Sequence, residues 1–330
     1  MKTFSWKSAA ASPAGRALLA LLLVMAAGLI FNADGAFFKI GTHRDTLRQA
    51  SVYGMLACGM TLVIVSGGID LAVGSMVGLS AVCAAQMAIH WNWPAWETVP
   101  ACLAAGALCG AVSGVVTAGL RVQPFIATLS MMVLARGLAK YASGGMKVST
   151  AVRNADGTYH YVEVPPLFRA IDHRVLGGNL SMVTVIFLVC VFLAWVALSK
   201  HRWGRYLYAI GGNEEAARLS GVPVIRAKIG AYAASGLFSA VAGLCQAAQE
   251  QQGDPEAGGG YELVAIAMVV IGGTSLMGGR GGIGLTLLGV LTIGYLDKIL
   301  SINAVPEAGR LVLTGIIIVA AVLTQRRSRT

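Results

Sequence analysis

The chain has 330 residues, of which 56% are hydrophobic and only 12% charged, with a mean hydropathy of +0.70. Soluble domains carry about a quarter charged residues, so a soluble globular fold is excluded and an integral membrane protein is predicted. The formal charge of +10 does not signal nucleic acid, because the basic residues gather at the ends of apolar runs and form no single patch. The 42 glycines suit a bundle in which membrane helices approach closely. The six cysteines (Cys58, Cys83, Cys102, Cys109, Cys190, Cys245) lie inside apolar stretches, with no C-x-x-C spacing and no histidine nearby. They read as small packing residues, not as disulfides or metal ligands.

At the N-terminus, Lys2, Lys7 and Arg16 precede an apolar run from Leu18 to Phe31 in the manner of a secretion signal. The chain continues directly into further apolar segments, which predicts an uncleaved first span. A bilayer core of about 30 Å needs about 20 helical residues, and runs of that order fall at roughly 17–32, 47–66, 70–90, 97–119, 124–142, 181–198, 228–249, 261–275, 282–300 and 308–324. Ten spans are therefore expected. Glycine clusters at the ends of the third (Gly67-Gly68) and eighth (Gly272-Gly273, Gly278-Gly279) mark places where a helix can break or re-enter.

Lysine and arginine set the orientation. With the N-terminus inside, the inner side collects Lys2, Lys7, Arg16, Arg121, the basic residues of Lys200–Lys228, Arg280, Arg326, Arg327 and Arg329, while Asp70, Glu214 and Glu215 are its only acids. Both termini and the 200–228 loop are then cytoplasmic, and the segment of about 143–180 faces out. A weak internal symmetry accompanies this layout: Met60–Ser75 and Ala267–Gly279 share an apolar run closing on paired glycines. Spans two to five would answer to spans seven to ten with one half inverted.

The long polar stretch Lys200–Lys228 contains its own helix signal. Asn213 is a good N-cap, Glu214 and Glu215 fall in the first turn, Arg218 follows Glu214 by four residues, and Ser220-Gly221 with Pro223 ends the helix. Two turns are marginal alone in water, so this helix is expected to form against a partner. Asp70, in G-G-I-D-L-A-V-G-S, reads equally as the cap of a restarting helix and as a functional acid at membrane depth. Arg136 reads as snorkelling to the interface in preference to pairing inside the bundle. Gly279–Gly284 matches G-x-G-x-x-G in form only, since no strand precedes it and it joins two spans, so a tight turn is predicted. The outer segment 155–174 reads as a solvated loop, with Arg153, Arg169 and Arg174 as candidates for docking an extracytoplasmic partner. No phosphate loop, histidine pair or nucleophile–base set occurs, which argues against catalysis.

Four stretches resemble one known family, the membrane permeases of bacterial sugar ABC importers (the ribose, xylose, arabinose and galactoside type), and ribose permeases most of all. They are Met60–Ser75, Arg121–Gly137, Gly204–Gly221, and Gly260–Ala267 with Gly272–Gly279; the similarity runs from about Leu47 to Leu323. Ala72 stands where the family usually has serine, and Val264 where the ribose-type pattern has aspartate. The resemblance implies an all-α membrane protein with a type II ABC importer-like permease fold, forming one transmembrane domain over residues 1–330. It also implies a second, identical permease subunit in the bacterial inner membrane, a cytoplasmic ABC ATPase that holds ATP and magnesium, and a periplasmic sugar-binding protein. This chain would bind no cofactor, metal or nucleic acid. Gly212–Gly221 matches the family's coupling helix, which makes Arg205, Gly212, Asn213, Glu214, Glu215, Arg218, Ser220 and Gly221 the expected contacts to the ATPase. Thr61, Ser66, Asp70, Gln123, Thr128 and Thr274 are expected walls of a weakly binding monosaccharide path. An ion-coupled secondary transporter of a small polar solute is the alternative, and it would need more acids in the central spans.

Overall fold

The computed structural model describes residues 12–153 and 156–316. Backbone polar groups in hydrocarbon must be satisfied within the segment, so the apolar runs become helices. In chain order these are α1 (Pro13–Ile30), α2 (Ile40–Val65), α3 (Val73–Ala85), α4 (Ala95–Gly114) and α5 (Pro124–Ser143). The segment that follows carries β1 (Ala151–Arg153), β2 (Tyr159–Tyr161), α6 (Pro166–Ile171), β3 (Arg174–Val175) and β4 (Leu180–Ser181). Then come α7 (Met182–Ser199), α8 (Arg202–Gly212), α9 (Glu214–Leu219), α10 (Val224–Glu250), α11 (Tyr261–Ile271) and α12 (Ile283–Ile302). Single π turns extend α3 to His90 and α4 to Gly119.

Eight of these helices are long and apolar enough to cross a membrane, against the ten expected. The expected eighth span shortens to the 11 residues of α11, and the tenth is described only as a helix over 307–316. The fold is helical as expected, with one local difference. Two small antiparallel ribbons, β1 with β2 and β3 with β4, fold the outer segment on itself, Val152 standing opposite His160 and Val175 opposite Leu180.

Packing centres on α2 and α10. The apolar window of α2 is 83% buried, whereas that of α1 is 11% buried and presents Leu22 and Leu23 outward. Gly106, Gly110 and Gly114 recur every four residues along α4 and lie against α10, so the two backbones touch. A Cβ at Gly110 would fall 2.1 Å from the carbonyl oxygen of Tyr232, so a larger residue cannot make this approach. Phe192 and Leu193 of α7 and Leu134 of α5 are exposed, as residues facing lipid must be.

Two stretches interrupt the bundle. After α2, residues 66–72 turn back into the protein, so that Asp70 reaches Ser235, eleven residues into α10 and about 16 Å from its start. After α10, residues 251–260 run as irregular chain alongside α3: Gly253 lies against Ala81 and Val82, and Gly258 against Gly74. That is a descent of about 12 Å along α3. Irregular backbone at such depth is tolerated only where protein covers it. Here Arg136 donates from Nη1 to the carbonyls of Pro255 and Ala257, and Gly253 exchanges 2.8 Å backbone bonds with Val148. Arg136 therefore does not snorkel; it supplies donors to a segment whose own backbone leaves carbonyls open.

The span α3 and the shorter α11 thus begin beside one another, near Gly74 and Gly258. The glycine stretches that the sequence pairs are neighbours in space instead. Gly279 donates to the Val65 carbonyl at 2.9 Å, and Gly278 is packed on Gly67 and Gly211. The second break, 251–260, lies before α11, and the glycines at 278–279 pack against 65–67 and 211–212.

Candidate functional site

The polar stretch 200–228 builds two helices at the end of the bundle where α2 finishes. The sequence does not announce the first, α8. Its buried residues Gly204, Leu207 and Ile210 face the core while Arg202 and Arg205 stay exposed, an amphipathic helix lying across the bundle end. Gly211 is fixed there because a Cβ would meet the Val65 carbonyl oxygen at 1.9 Å. Tyr208 donates to the Gly281 carbonyl at 2.8 Å, and Trp203 Nε1 to the Ala227 carbonyl at 3.1 Å.

The second helix, α9, forms as its punctuation predicts. Asn213 has extended backbone, and its Oδ1 accepts from the Ala216 amide at 2.9 Å. Arg218 donates to Glu214 at 3.0 Å and to Glu215 at 3.2 Å, so the first and last turns are laced together. Ser220 bonds back to the Ala216 carbonyl at 2.8 Å, and Gly221, at φ +80°, reverses the chain. Gly212 has open space around it. Two further features escape sequence reasoning. Lys228, in the first turn of α10, is mostly buried and pairs with Glu214, which joins the short helix to the longest one. Leu219 stands 82% exposed at the helix tip. Only a three-dimensional view brings Lys228 to Glu214, since they lie 14 residues apart in the chain.

Beside α9, a cleft of about 350 Å³ runs between Thr117, Arg121, Gln123, Glu214, Arg218 and Lys228. Gln123, expected in a solute path, thus belongs to this bundle end. The other expected path residues are buried in the packing. Thr61 bonds the Ala57 carbonyl at 2.6 Å and Thr286 at 2.7 Å, Ser66 the Val63 carbonyl at 2.8 Å, and Thr128 the Pro124 carbonyl at 2.9 Å. Thr274 accepts from the Gly282 amide at 3.4 Å. Asp70, fully buried, accepts from the Ala72 amide at 3.1 Å and from Ser235 Oγ at 2.7 Å, so it anchors the start of α3 to α10.

At the opposite end, Arg169 pairs with Glu163 at 3.4 Å and Arg174 with Asp45 at 3.0 Å, while Arg153 stands in β1 opposite Tyr159. Lys140 pairs with Glu256 at 2.6 Å and Lys147 with Asp254 at 3.0 Å, tying α5 and the outer segment to the irregular chain. The Lys140 hydrogen bond holds the Glu256 carboxyl below its ordinary range, and the Asp254 bond raises the Lys147 ammonium.

A broken-helix bundle with a short capped helix at one end and no catalytic constellation among the described residues has the parts of a transport subunit. A family profile described as branched-chain amino acid transport system / permease component matches residues 44–322. The chain belongs to that permease family. It is 42% identical over 318 residues to the ribose import permease protein RbsC of Escherichia coli (strain K12), covering 95% of this chain and 94% of that protein. It is 35% identical to the fructose import permease protein FrcC of Rhizobium meliloti (94% and 84% covered). To the xylose transport system permease protein XylH of Escherichia coli (strain K12) it is 31% identical (94% and 92% covered). No solved structure matches the chain. This permease is accordingly a multi-pass membrane transport subunit and not an enzyme.

Proposed function

We propose that this permease is the membrane-spanning subunit of an ATP-driven importer that moves a monosaccharide, ribose or a related pentose, hexose or polyol. The sugar is received from a periplasmic binding protein, and a separate cytoplasmic ABC ATPase, which holds ATP and magnesium, drives the cycle. The permease works as a pair of identical subunits in a bacterial inner membrane, with both termini and α9 on the cytoplasmic side. The sugar import names of its relatives support the solute class.

One observation carries the reading: α9 is a short, fully capped helix that projects an exposed leucine and an acidic first turn from an otherwise apolar molecule. Such a helix suits a cleft on a partner. Closure of the ATPase displaces α9, and three attachments pass the motion on. Lys228 and Trp203 take it to α10, Gly211 takes it to the end of α2, and Tyr208 takes it to the turn before α12. The segments they reach adjoin residues 66–72 and the end of α11, so the same displacement repacks the middle of the bundle.

Reconstitution tests this directly. Proteoliposomes holding the permease and its ATPase are expected to accumulate sugar only with ATP on the ATPase side and binding protein on the other, and to continue when ion gradients are collapsed. Uptake that needs neither ATP nor partner, or that stops with the ion gradient, overturns the proposal.

A further inference from the structure

Between α3, α5 and the start of α11 lies a cavity of about 470 Å³, lined by Ser75, Met132, Arg136, Gly259, Gly260 and Glu262 among others. Its position follows from the two breaks, because Gly74 and Gly258, each the chain neighbour of a lining residue, pack against one another beside it. Charged groups near the middle of a membrane are expensive, and they persist where they line a path or bind something.

The polar groups of this cavity divide sharply. Its basic ones are engaged, since Arg136 donates to the Pro255 and Ala257 carbonyls and Lys140 pairs with Glu256. Glu262, in the first turn of α11, makes no ion pair among the described residues, and its carboxylate lies near the Gly260 amide and within the field of Arg136. Its carboxylate points at Gly74, where an added Cβ would come within 2.5 Å of Oε2. Ser75 is only 3% exposed, lines the cavity, and makes no side-chain hydrogen bond among the described residues. The groups that can meet a ligand are therefore the unpartnered Ser75 hydroxyl and the remaining acceptor capacity of the Glu262 carboxylate, beside the glycine backbone of residues 259 and 260. A carboxylate accepts hydrogen bonds from hydroxyl donors and repels anions.

We infer that this cavity is a solute site for a neutral polyhydroxylated molecule, with Glu262 accepting from its hydroxyls and Ser75 bonding beside it. This rests on the importer reading for the direction of transport but not for the binding chemistry. Glycine at 259 matters in the same way: the nearest neighbour to an added Cβ is the Glu256 carbonyl at 3.5 Å, so the backbone is open to a ligand.

Gly259→Cys, in vesicles containing the permease alone, provides a direct readout. Modification by a small thiol reagent is expected to slow several-fold with ribose, xylose or fructose at high concentration, and to be unchanged by ribose 5-phosphate. In the assembled importer, Glu262→Gln is expected to lower uptake about tenfold while binding-protein-stimulated ATP hydrolysis stays within about twofold of the parent, as loss of a charged hydrogen bond to solute requires. Protection by no sugar, or equal protection by the phosphate ester, overturns the site even if Glu262→Gln fails to fold. Absence of ATP-driven uptake in the parent complex, with sugar protection intact, overturns the importer reading and leaves this site standing.

Discussion

Arg136 shows what a single residue decides. It lies in an apolar helix, and from sequence alone a long basic side chain near a span end is expected to reach for the interface. Its acceptors are Pro255 and Ala257, 119 and 121 residues away, and nothing local announces them. Removing the guanidinium takes the donor from the carbonyls of buried Pro255 and half-buried Ala257, and hydrogen bonds to charged groups are worth about 1.5–3 kcal/mol each. Arg136→Ala is therefore expected to lower the thermal midpoint of the detergent-purified protein and to speed amide exchange across residues 253–260, while Arg136→Lys keeps part of the protection. Unchanged exchange in Arg136→Ala would show that the irregular segment is held by something else. Asn213 is the opposite case. Its cap, the acids behind it and the glycine that ends the turn all fall between Asn213 and Gly221, so the sequence specifies the helix and the structure repeats it.

At the level of elements, length and hydropathy locate most spans because each must satisfy its backbone alone within the bilayer. They fail where a span is broken. The span expected over 261–275 stops as a helix at Ile271, where Gly272 packs against the Leu285 carbonyl and the glycines at 278–279 turn toward Gly67 and Gly212. The amphipathic α8 escapes the sequence for another reason: at 11 residues it is too short for a span, and three of those residues are glycine. Helix contacts, by contrast, are partly legible in the four-residue glycine spacing of α4. Gly110→Leu must push α4 from α10 at Tyr232, and it is expected to abolish recovery of folded protein by size-exclusion chromatography. Gly284→Ala, near the start of α12 with open space about it, is expected to fold normally. Equal recovery of both variants would mean that the α4–α10 contact is looser than described.

For the whole molecule the proposed function asks how motion at one end reaches the middle, and the Glu214–Lys228 ion pair joins α9 to α10 on that proposed route. Lys228 is mostly buried, so replacing it by glutamate sets two carboxylates together beneath α9 and leaves one of them poorly solvated. The short helix then has a weaker hold on α10, and in the proposed importer a displacement by the ATPase is absorbed before it reaches the breaks. Lys228→Glu is expected to leave ATP hydrolysis running while sugar uptake falls, so that more ATP is spent per sugar moved. Exchanging the charges with Glu214→Lys in the same protein restores an attractive pair, though Arg218 then loses one of its two acid partners. The double variant should recover a large part of the lost coupling, whereas Glu214→Lys alone should not. Recovery is what separates a transmitted push from a merely structural contact, because instability in the single variants would lower hydrolysis and uptake together. If both single variants couple normally, force must enter the bundle through α8 and the Tyr208–Gly281 bond instead.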